Sequence, residues 1–284
     1  MRSVFLTAAS GVLGSVIAQA FQSAGWQVSG ISRSPEGVAA LRARGIEAAL
    51  GGVMAPDVLA AQAERTECIV HTALYHDIAD PITLAADRCV QRTLYGTATR
   101  TGARVLLAQD IRIFGAGVVP ESAPSPPPYC LGAERSDGKI ACGTWHLLRL
   151  PVFLFGPHSH RGIAPFLELA RLRGVVFCPH TSFGTLAWAT LNEAASCFLE
   201  VATAGHPPPI SAIQSGPPLS LRTMAEMVAE AVGLPLHFLS EPECRALGPA
   251  GEAILAPALC FADRPPSTAD PKQSLVTALA EFTI

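Results

Sequence analysis

The chain has 284 residues, of which 49% are hydrophobic and 15% are charged, and its formal net charge is −3. This length fits one large domain, or one domain with a smaller companion, and is enough to bury a substantial core. Its basic residues, 18 Arg and 2 Lys, form no run, so no nucleic-acid partner is expected. Apolar runs are too short to span a bilayer, so no membrane partner is expected either.

Eight cysteines are spread along the chain, and none belongs to a CxxC pair. This spacing disfavours zinc ribbons and dithiol redox motifs. Most of the cysteines have apolar neighbours, which is typical of reduced core thiols and predicts a cytoplasmic protein. The pair His158 and His160 has no third ligand nearby in the sequence, and no metal is predicted.

The first half of the chain alternates apolar runs with amphipathic segments. Strands are predicted at Ser3–Thr7, Trp26–Ile31, Ile46–Leu50, Glu67–Thr72, Arg104–Ala108 and Leu147–Phe155. Helices are predicted at Val12–Ala24, Gly37–Arg44, Ala55–Ala63 and Ile82–Arg100. Such alternation indicates a parallel sheet with helices on both faces, on which ligands bind at the carboxyl ends of the strands.

A glycine-containing turn, Thr7 to Gly14, joins the first predicted strand to the first helix. Gly11 would let the backbone approach a pyrophosphate, and Gly14 would let the helix pack closely on the strand. Ala8 stands where the first glycine of such turns usually lies. The turn predicts cofactor contacts from Thr7, Ser10, Gly11, Val12 and Leu13; the alternative is an ordinary turn of small residues.

The second strand ends in Ser32-Arg33-Ser34 and carries no acidic residue there. A carboxylate at this place would hold the ribose 2′-hydroxyl of NAD, whereas an arginine with two hydroxyls suits the 2′-phosphate of NADP. Ser32, Arg33 and Ser34 are therefore predicted to bind NADP, with NAD less favoured. The alternative is that Arg33 is one more solvated surface arginine.

The chain changes character after about Gly156. Clusters of proline separate two predicted helices, Leu191–Thr203 and Leu219–Gly233. This pattern predicts a dinucleotide-binding domain over residues 1–156 and a smaller, interleaved lobe over residues 157–284.

Several of these segments together resemble the extended short-chain dehydrogenase/reductases, the NAD-dependent epimerase/dehydratase family. They are the phosphate turn, Ser32–Ser34, Gly45–Ala48, Val70–Ala73, Phe155–Pro157 and Leu219–Pro235. The resemblance implies an α/β fold, a Rossmann doubly wound parallel sheet with a small C-terminal α/β substrate lobe. It also implies a carbonyl-type or nucleotide-sugar substrate, Ala73 near the cofactor ribose, and a homodimer as one assembly.

The resemblance breaks at the catalytic residues. The family uses Tyr-x-x-x-Lys, in which the lysine lowers the tyrosine pKa, together with a Ser or Thr after the fifth strand. Tyr129 stands at the expected place, but Ala133 replaces the lysine and Lys139 is too far along to share its helical face. Asp110 stands where the Ser or Thr is expected.

Two interpretations follow from this break. In the first, Asp110 transfers protons, Tyr129 orients the substrate, and the chain is an atypical NADP(H)-binding enzyme acting on a small carbonyl-type or biosynthetic intermediate. In the second, the chain is a non-catalytic nucleotide-binding regulator or scaffold, and Asp110 caps the turn that begins at Ile111.

Overall fold

The computed structural model describes residues 2–73, 80–126, 144–156, 159–180, 184–255, 259–261 and 270–279. The chain forms two compact units. The first unit comprises residues 1–113, 122–150 and 194–212, and the second comprises residues 114–121, 151–193 and 213–284. Each unit is therefore assembled from three separate stretches of the chain.

The strands of the described chain are short. They are β1 (Ser3–Leu6), β2 (Gln27–Ser32), β3 (Glu47–Leu50), β4 (Cys68–His71), β5 (Arg104–Asp110), β6 (Gly117–Val119), β7 (Trp145–Leu150), β8 (Phe153–Gly156), β9 (Ser159–Arg161), β10 (Val176–Pro179), β11 (Thr185–Leu186), β12 (Trp188–Thr190), β13 (Ile210–Ala212), β14 (Leu219–Ser220), β15 (Leu236–Leu239) and β16 (Leu259–Phe261).

The helices vary more in length. They are α1 (Val12–Ser23), α2 (Pro35–Ala43), α3 (Pro56–Ala63), α4 (Pro81–Thr101), α5 (Ala164–Arg173), α6 (Leu191–Thr203), α7 (Leu221–Val232), α8 (Glu241–Ala246), α9 (Pro249–Ala253) and α10 (Pro271–Leu279), with a 3₁₀ turn at Ile111–Phe114. No helix in the described ranges combines the length and the apolar character that a membrane crossing requires.

A seven-stranded sheet forms the centre of the first unit. Its strand order is β13-β7-β5-β4-β1-β2-β3, and every neighbouring pair is parallel. The order reverses between β1 and β4, which is the switch point of a doubly wound Rossmann sheet. The predicted α/β Rossmann fold is confirmed.

Burial on both faces explains why these segments form central strands. Val4, Phe5 and Leu6 of β1 are fully buried, as expected for a parallel strand covered by helices on each side. On α1, Leu13, Ile17 and Phe21 recur at helical spacing and are all buried. Their apolar stripe fixes the first turn of α1 against the end of β1.

The predicted strand Leu147–Phe155 is wrong as a single element. The structure has two strands there, β7 and β8, separated by Pro151 and Val152. β7 pairs with β5 and β13 in the first unit, whereas β8 pairs with β9 and β12 in the second. Proline lacks the N–H that a central strand needs, so the continuous apolar run is interrupted at that point.

The second unit contains three small sheets. They are the four-stranded β14-β11-β16-β6, the three-stranded β12-β8-β9 and the two-stranded β10-β15. Trp188 of β12 is fully buried and donates from Nε1 to the Pro217 carbonyl at 2.8 Å. Gly216 passes so close to this indole that a Cβ there would lie 2.6 Å from a ring carbon.

Candidate functional site

The turn between β1 and α1 exposes backbone N–H groups at the carboxyl edge of the seven-stranded sheet. Gly11 is the N-cap residue of α1, and no side chain caps this helix. In the described part of the chain, the N–H groups of Val12, Leu13 and Gly14 have no hydrogen-bond partner. Free N–H groups at the positive end of a helix dipole form a ready anion site.

The two glycines of this turn have different roles. A Cβ on Gly14 would lie 1.9 Å from the Ala8 carbonyl oxygen, so only glycine lets α1 pack against the turn. A Cβ on Gly11 would meet nothing closer than the same oxygen at 3.3 Å. Gly14 is therefore required by the fold itself, whereas Gly11 leaves space for a ligand.

The other predicted residues of the turn differ in how exposed they are. Ser10 is exposed, and Val12 is 40% exposed beside it. Leu13 belongs to the buried core, so only its backbone N–H can contact a ligand. Thr7 is buried at the start of the turn, where it contacts protein groups rather than solvent.

The end of β2 places Arg33 at the same edge of the sheet. Arg33 is exposed, and its side-chain methylenes lie against Gly52, with Cγ 3.4 Å from the position of a Cβ there. Among the described residues, its guanidinium has no hydrogen-bond partner. Ser34 accepts a hydrogen bond from the Gly37 N–H at 3.1 Å and so caps α2.

The end of β4 is joined to the phosphate turn through Thr7. The Thr7 hydroxyl oxygen accepts hydrogen bonds from the N–H groups of Thr72 and Ala73 at 3.2 and 3.3 Å. It also lies 2.9 Å from Nδ1 of His71, which is the last residue of β4. Ala73 is thereby held beside the turn, where the family resemblance expects the cofactor ribose.

A second polar cluster connects His71 to α4. His71 Nε2 lies 2.8 Å from an Asp87 carboxylate oxygen, and the other oxygen accepts from the Gln91 amide at 2.5 Å. The His71 side chain is only 3% exposed. In the sequence, the one signal for Asp87 is its i,i+4 spacing to Gln91 on α4.

Asp110 is the last residue of β5, at the carboxyl edge where it is predicted. Its side chain is fully buried. One carboxylate oxygen accepts from the Arg112 backbone N–H at 2.8 Å, and the other accepts from the Arg112 guanidinium at 2.7 and 3.0 Å. Asp110 therefore caps the 3₁₀ turn that follows, and it lies at the edge where ligands bind in parallel sheets of this kind.

A buried arginine, Arg149, lies on β7 next to the end of β5. It is paired in register with Gln109 and donates to the Gln109 side-chain oxygen at 3.1 Å. It also donates to the Ala123 carbonyl, and Gln109 in turn donates to the Ser125 hydroxyl at 2.8 Å. The sequence signal for it is an arginine inside the apolar run Leu147–Leu150.

Two predicted features fall partly or wholly outside the described residues. Tyr129 lies outside them, and so does His158 of the histidine pair. Within the described ranges, no three His, Cys, Asp or Glu side chains are grouped to hold a metal ion.

No family model matches the chain. An uncharacterized protein of Schizosaccharomyces pombe is 26% identical over 255 residues, which cover 84% of this chain and 84% of that protein.

Solved structures resemble the chain over nearly its whole length. A dTDP-glucose 4,6-dehydratase from Streptomyces venezuelae with NAD bound has a TM-score of 0.75 at 16% identity, covering 99% of this chain and 97% of its own. A UDP-glucuronic acid 4-epimerase from Bacillus cereus, in complex with UDP-glucuronic acid and NAD, has a TM-score of 0.71 at 13% identity, covering 99% and 100%. The chain has the fold of these dehydratases and epimerases, so the fold that the resemblance implies is confirmed.

Proposed function

We propose that the chain is an atypical NADP(H)-binding short-chain dehydrogenase/reductase-like enzyme that acts on a small carbonyl-type or biosynthetic intermediate. Several solved neighbours with this fold were crystallised with NAD, which supports a nicotinamide dinucleotide as the cofactor class. The rest of the proposal is argued from residues of this chain at the carboxyl edge of its sheet, namely Gly11, Arg33 and Asp110.

One observation carries the proposal: the turn after β1 offers consecutive backbone N–H groups to an anion. Three consecutive N–H groups, those of Val12, Leu13 and Gly14, have no partner in the described chain. Gly11 leaves the space beside them open. Two phosphate groups bound there would accept these hydrogen bonds and interact favourably with the helix dipole. Ser10 of the same turn is exposed, so its hydroxyl is available to a ligand.

The preference for NADP rests on the end of β2. Arg33 is exposed there and has no acidic neighbour in Ser32 or Ser34 that would repel a 2′-phosphate. The Ser34 oxygen caps α2, but its hydroxyl proton remains able to donate to a phosphate. A guanidinium and two hydroxyls form charge-assisted hydrogen bonds with a phosphate.

The chemistry is assigned to Asp110, with Tyr129 orienting the substrate. The bound nicotinamide would donate or accept a hydride. Asp110 lies at the carboxyl edge of the sheet, but both of its oxygens accept hydrogen bonds from Arg112. Proton transfer by Asp110 therefore requires the side-chain contact with Arg112 to open when substrate binds.

The same Asp110 contact favours a second candidate function, a nucleotide-binding regulator or scaffold without turnover. A carboxylate with no exposed surface that caps a turn has a sufficient structural role. Ala133 in place of the family lysine points the same way. Both candidates bind the dinucleotide, and they differ only in whether a substrate is turned over.

Calorimetric titration with NADPH and NADH tests the binding that both candidates share. Wild type should bind NADPH more tightly than NADH. Gly11→Val should abolish binding, because the valine side chain occupies the phosphate space, while the φ of −72° at this position remains accessible to valine. Gly205→Val is the matched control: no atom lies within 4 Å of a Cβ there, and Gly205 follows the end of α6 rather than β1.

The control should bind NADPH like wild type. If wild type and Gly11→Val prove equally unable to bind either nucleotide, or bind NADPH equally well, the cofactor proposal is wrong.

A further inference from the structure

A chain of four polar side chains connects the phosphate turn to α4, and the directions of its hydrogen bonds can be assigned. The chain runs from Thr7 through His71 and Asp87 to Gln91, with contacts of 2.9, 2.8 and 2.5 Å. All four residues belong to the first unit. We call this set the turn relay.

The direction of the hydrogen bond between Thr7 and His71 follows from the donors and acceptors around the Thr7 hydroxyl. Its hydroxyl oxygen has two lone pairs, and the N–H groups of Thr72 and Ala73 occupy them. In the described chain His71 Nδ1 is the only remaining acceptor within reach of the Thr7 hydroxyl proton. His71 Nδ1 is therefore unprotonated, and the ring proton is on Nε2, from which it is donated to Asp87.

Thr7, His71 and Asp87 are residue types that also form nucleophilic triads, but the hydroxyl group is not exposed here as a nucleophile must be. A nucleophilic hydroxyl must face the substrate, whereas Thr7 is 4% exposed and its oxygen already accepts two backbone N–H groups. The Thr7 hydroxyl instead ties the start of the phosphate turn to the residues after β4. Asp87 fixes the tautomer of the histidine that orients this hydroxyl, as a carboxylate does in hydrolase triads.

We infer that His71 and Asp87 are positioning residues that hold the phosphate turn and Ala73 in the geometry that binds the dinucleotide. This inference rests on the proposed cofactor function. It assigns a binding role to Asp87, which lies in the second turn of α4 and is 18% exposed. Breaking the Asp87 contact should loosen the turn without removing any group that touches the nucleotide.

The first test is the tautomer of His71 in the protein without nucleotide. Long-range ¹H–¹⁵N spectra distinguish a ring protonated at Nδ1 from one protonated at Nε2. His71 should carry its proton on Nε2. The matched control is His146, also buried, whose Nδ1 donates to the Pro208 carbonyl at 2.9 Å and should therefore be protonated. A His71 ring protonated at Nδ1 would overturn the relay, whether or not the protein binds nucleotide.

The second test compares two substitutions of Asp87. Asp87→Ala removes the acceptor for His71, and the affinity for NADPH should fall by about tenfold, the scale of one buried hydrogen bond. Asp87→Asn keeps an oxygen for His71 Nε2, and Gln91, whose buried side-chain oxygen has no partner in the described chain, can turn its amide to accept from the new NH₂ group. Affinity should stay within about threefold of wild type.

His146→Asn controls for general loss of stability, because it disturbs a buried histidine of the same sheet that does not contact the turn. It should leave NADPH affinity unchanged. If wild type binds NADPH and Asp87→Ala binds it equally well, the positioning role is wrong while the cofactor function stands. If wild type binds neither NADPH nor NADH, the cofactor function is wrong, and the positioning role falls with it. Should Asp87→Ala fail to fold, the His71 tautomer in Asp87→Asn decides: loss of the Nε2 proton there contradicts the relay.

Discussion

The two edges of the seven-stranded sheet differ in whether the helix end that lies there has partners for its backbone polar groups. At the carboxyl edge, the first turn of α1 has no cap, and Gly11 leaves its N–H groups open. At the amino edge, Arg104 donates from one nitrogen to the carbonyls of Val201, Ala202 and Ala204 at 2.7–2.8 Å. The last carbonyls of α6 therefore have a partner at the amino edge, whereas the first N–H groups of α1 have none in the described chain.

A depression of about 710 Å³ opens at the amino edge and is lined by Trp26, Glu67 and Arg104 among others. Charged groups of its lining already interact with the protein: Arg65 pairs with Glu47 at 3.1 Å, and Arg2 lies over the Trp26 ring. These two charged groups are therefore engaged within the protein, whereas the N–H groups at the start of α1 have no partner in the described chain.

The largest effect on activity is expected from substituting Asp110, at the carboxyl edge. If Asp110 transfers protons at the carboxyl edge, Asp110→Asn should lower turnover by about 10²–10⁴-fold, the usual scale for a lost acid–base group. Tyr129→Phe should cost much less, because Ala133 supplies no cation to activate the phenol. Steady-state kinetics of both variants, with circular dichroism to confirm folding, measures this.

An inactive Tyr129→Phe beside an active Asp110→Asn would restore a tyrosine-centred mechanism. Full activity in both would mean that neither side chain transfers the proton.

A smaller effect is expected when one arginine is substituted at each edge of the sheet. Arg33→Ala removes a charge-assisted contact with the 2′-phosphate, so NADPH affinity should fall by about ten- to a hundredfold while NADH affinity barely changes. Arg104→Ala at the amino edge should do the opposite: it should lower the melting temperature and leave both affinities unchanged. Calorimetry and thermal unfolding measure the two effects.

Equal losses for NADPH and NADH in Arg33→Ala would mean that Arg33 recognises something other than the 2′-phosphate. Weaker NADPH binding in a folded Arg104→Ala would place part of the binding energy at the amino edge.

The smallest effect concerns Cys68, at the start of β4. Burial raises the pKa of its thiol to about 12, so the folded protein keeps it protonated at any pH near neutral. At pH 8, iodoacetamide should leave Cys68 unmodified and alkylate the exposed Cys89, as peptide mass spectrometry would show. In the unfolded chain the thiol regains its ordinary pKa near 9, so this group favours unfolding only above about pH 9. Rapid alkylation of Cys68 in folded protein would show that the amino edge opens.

Where the apolar pattern of a segment agrees with its burial in the structure, the predicted element is present. The apolar run Ser3–Thr7 and the helical period of α1 lie where they were predicted, because both are buried on the faces that their periodicity indicates. The run Leu147–Phe155 gave a wrong strand, since an apolar composition does not show that Pro151 divides it between two units.

The sequence could indicate only those parts of the candidate site whose residues are close together in the chain. Gly11 and Gly14 stand out in sequence because the phosphate turn is local. Asp87 and Arg149 do not, because their partners Thr7, His71 and Gln109 come from other strands and meet them only in the folded sheet. Position at a strand end predicted Asp110, but not its contact with Arg112.

A crystal structure of the protein soaked with NADPH is the most direct test of where this sheet binds its ligand. The pyrophosphate should lie on the N–H groups of Val12, Leu13 and Gly14, with the 2′-phosphate against Arg33 and the nicotinamide facing the end of β5. Nucleotide bound in the amino-edge depression, or a carboxyl edge left empty at saturating NADPH, would contradict it.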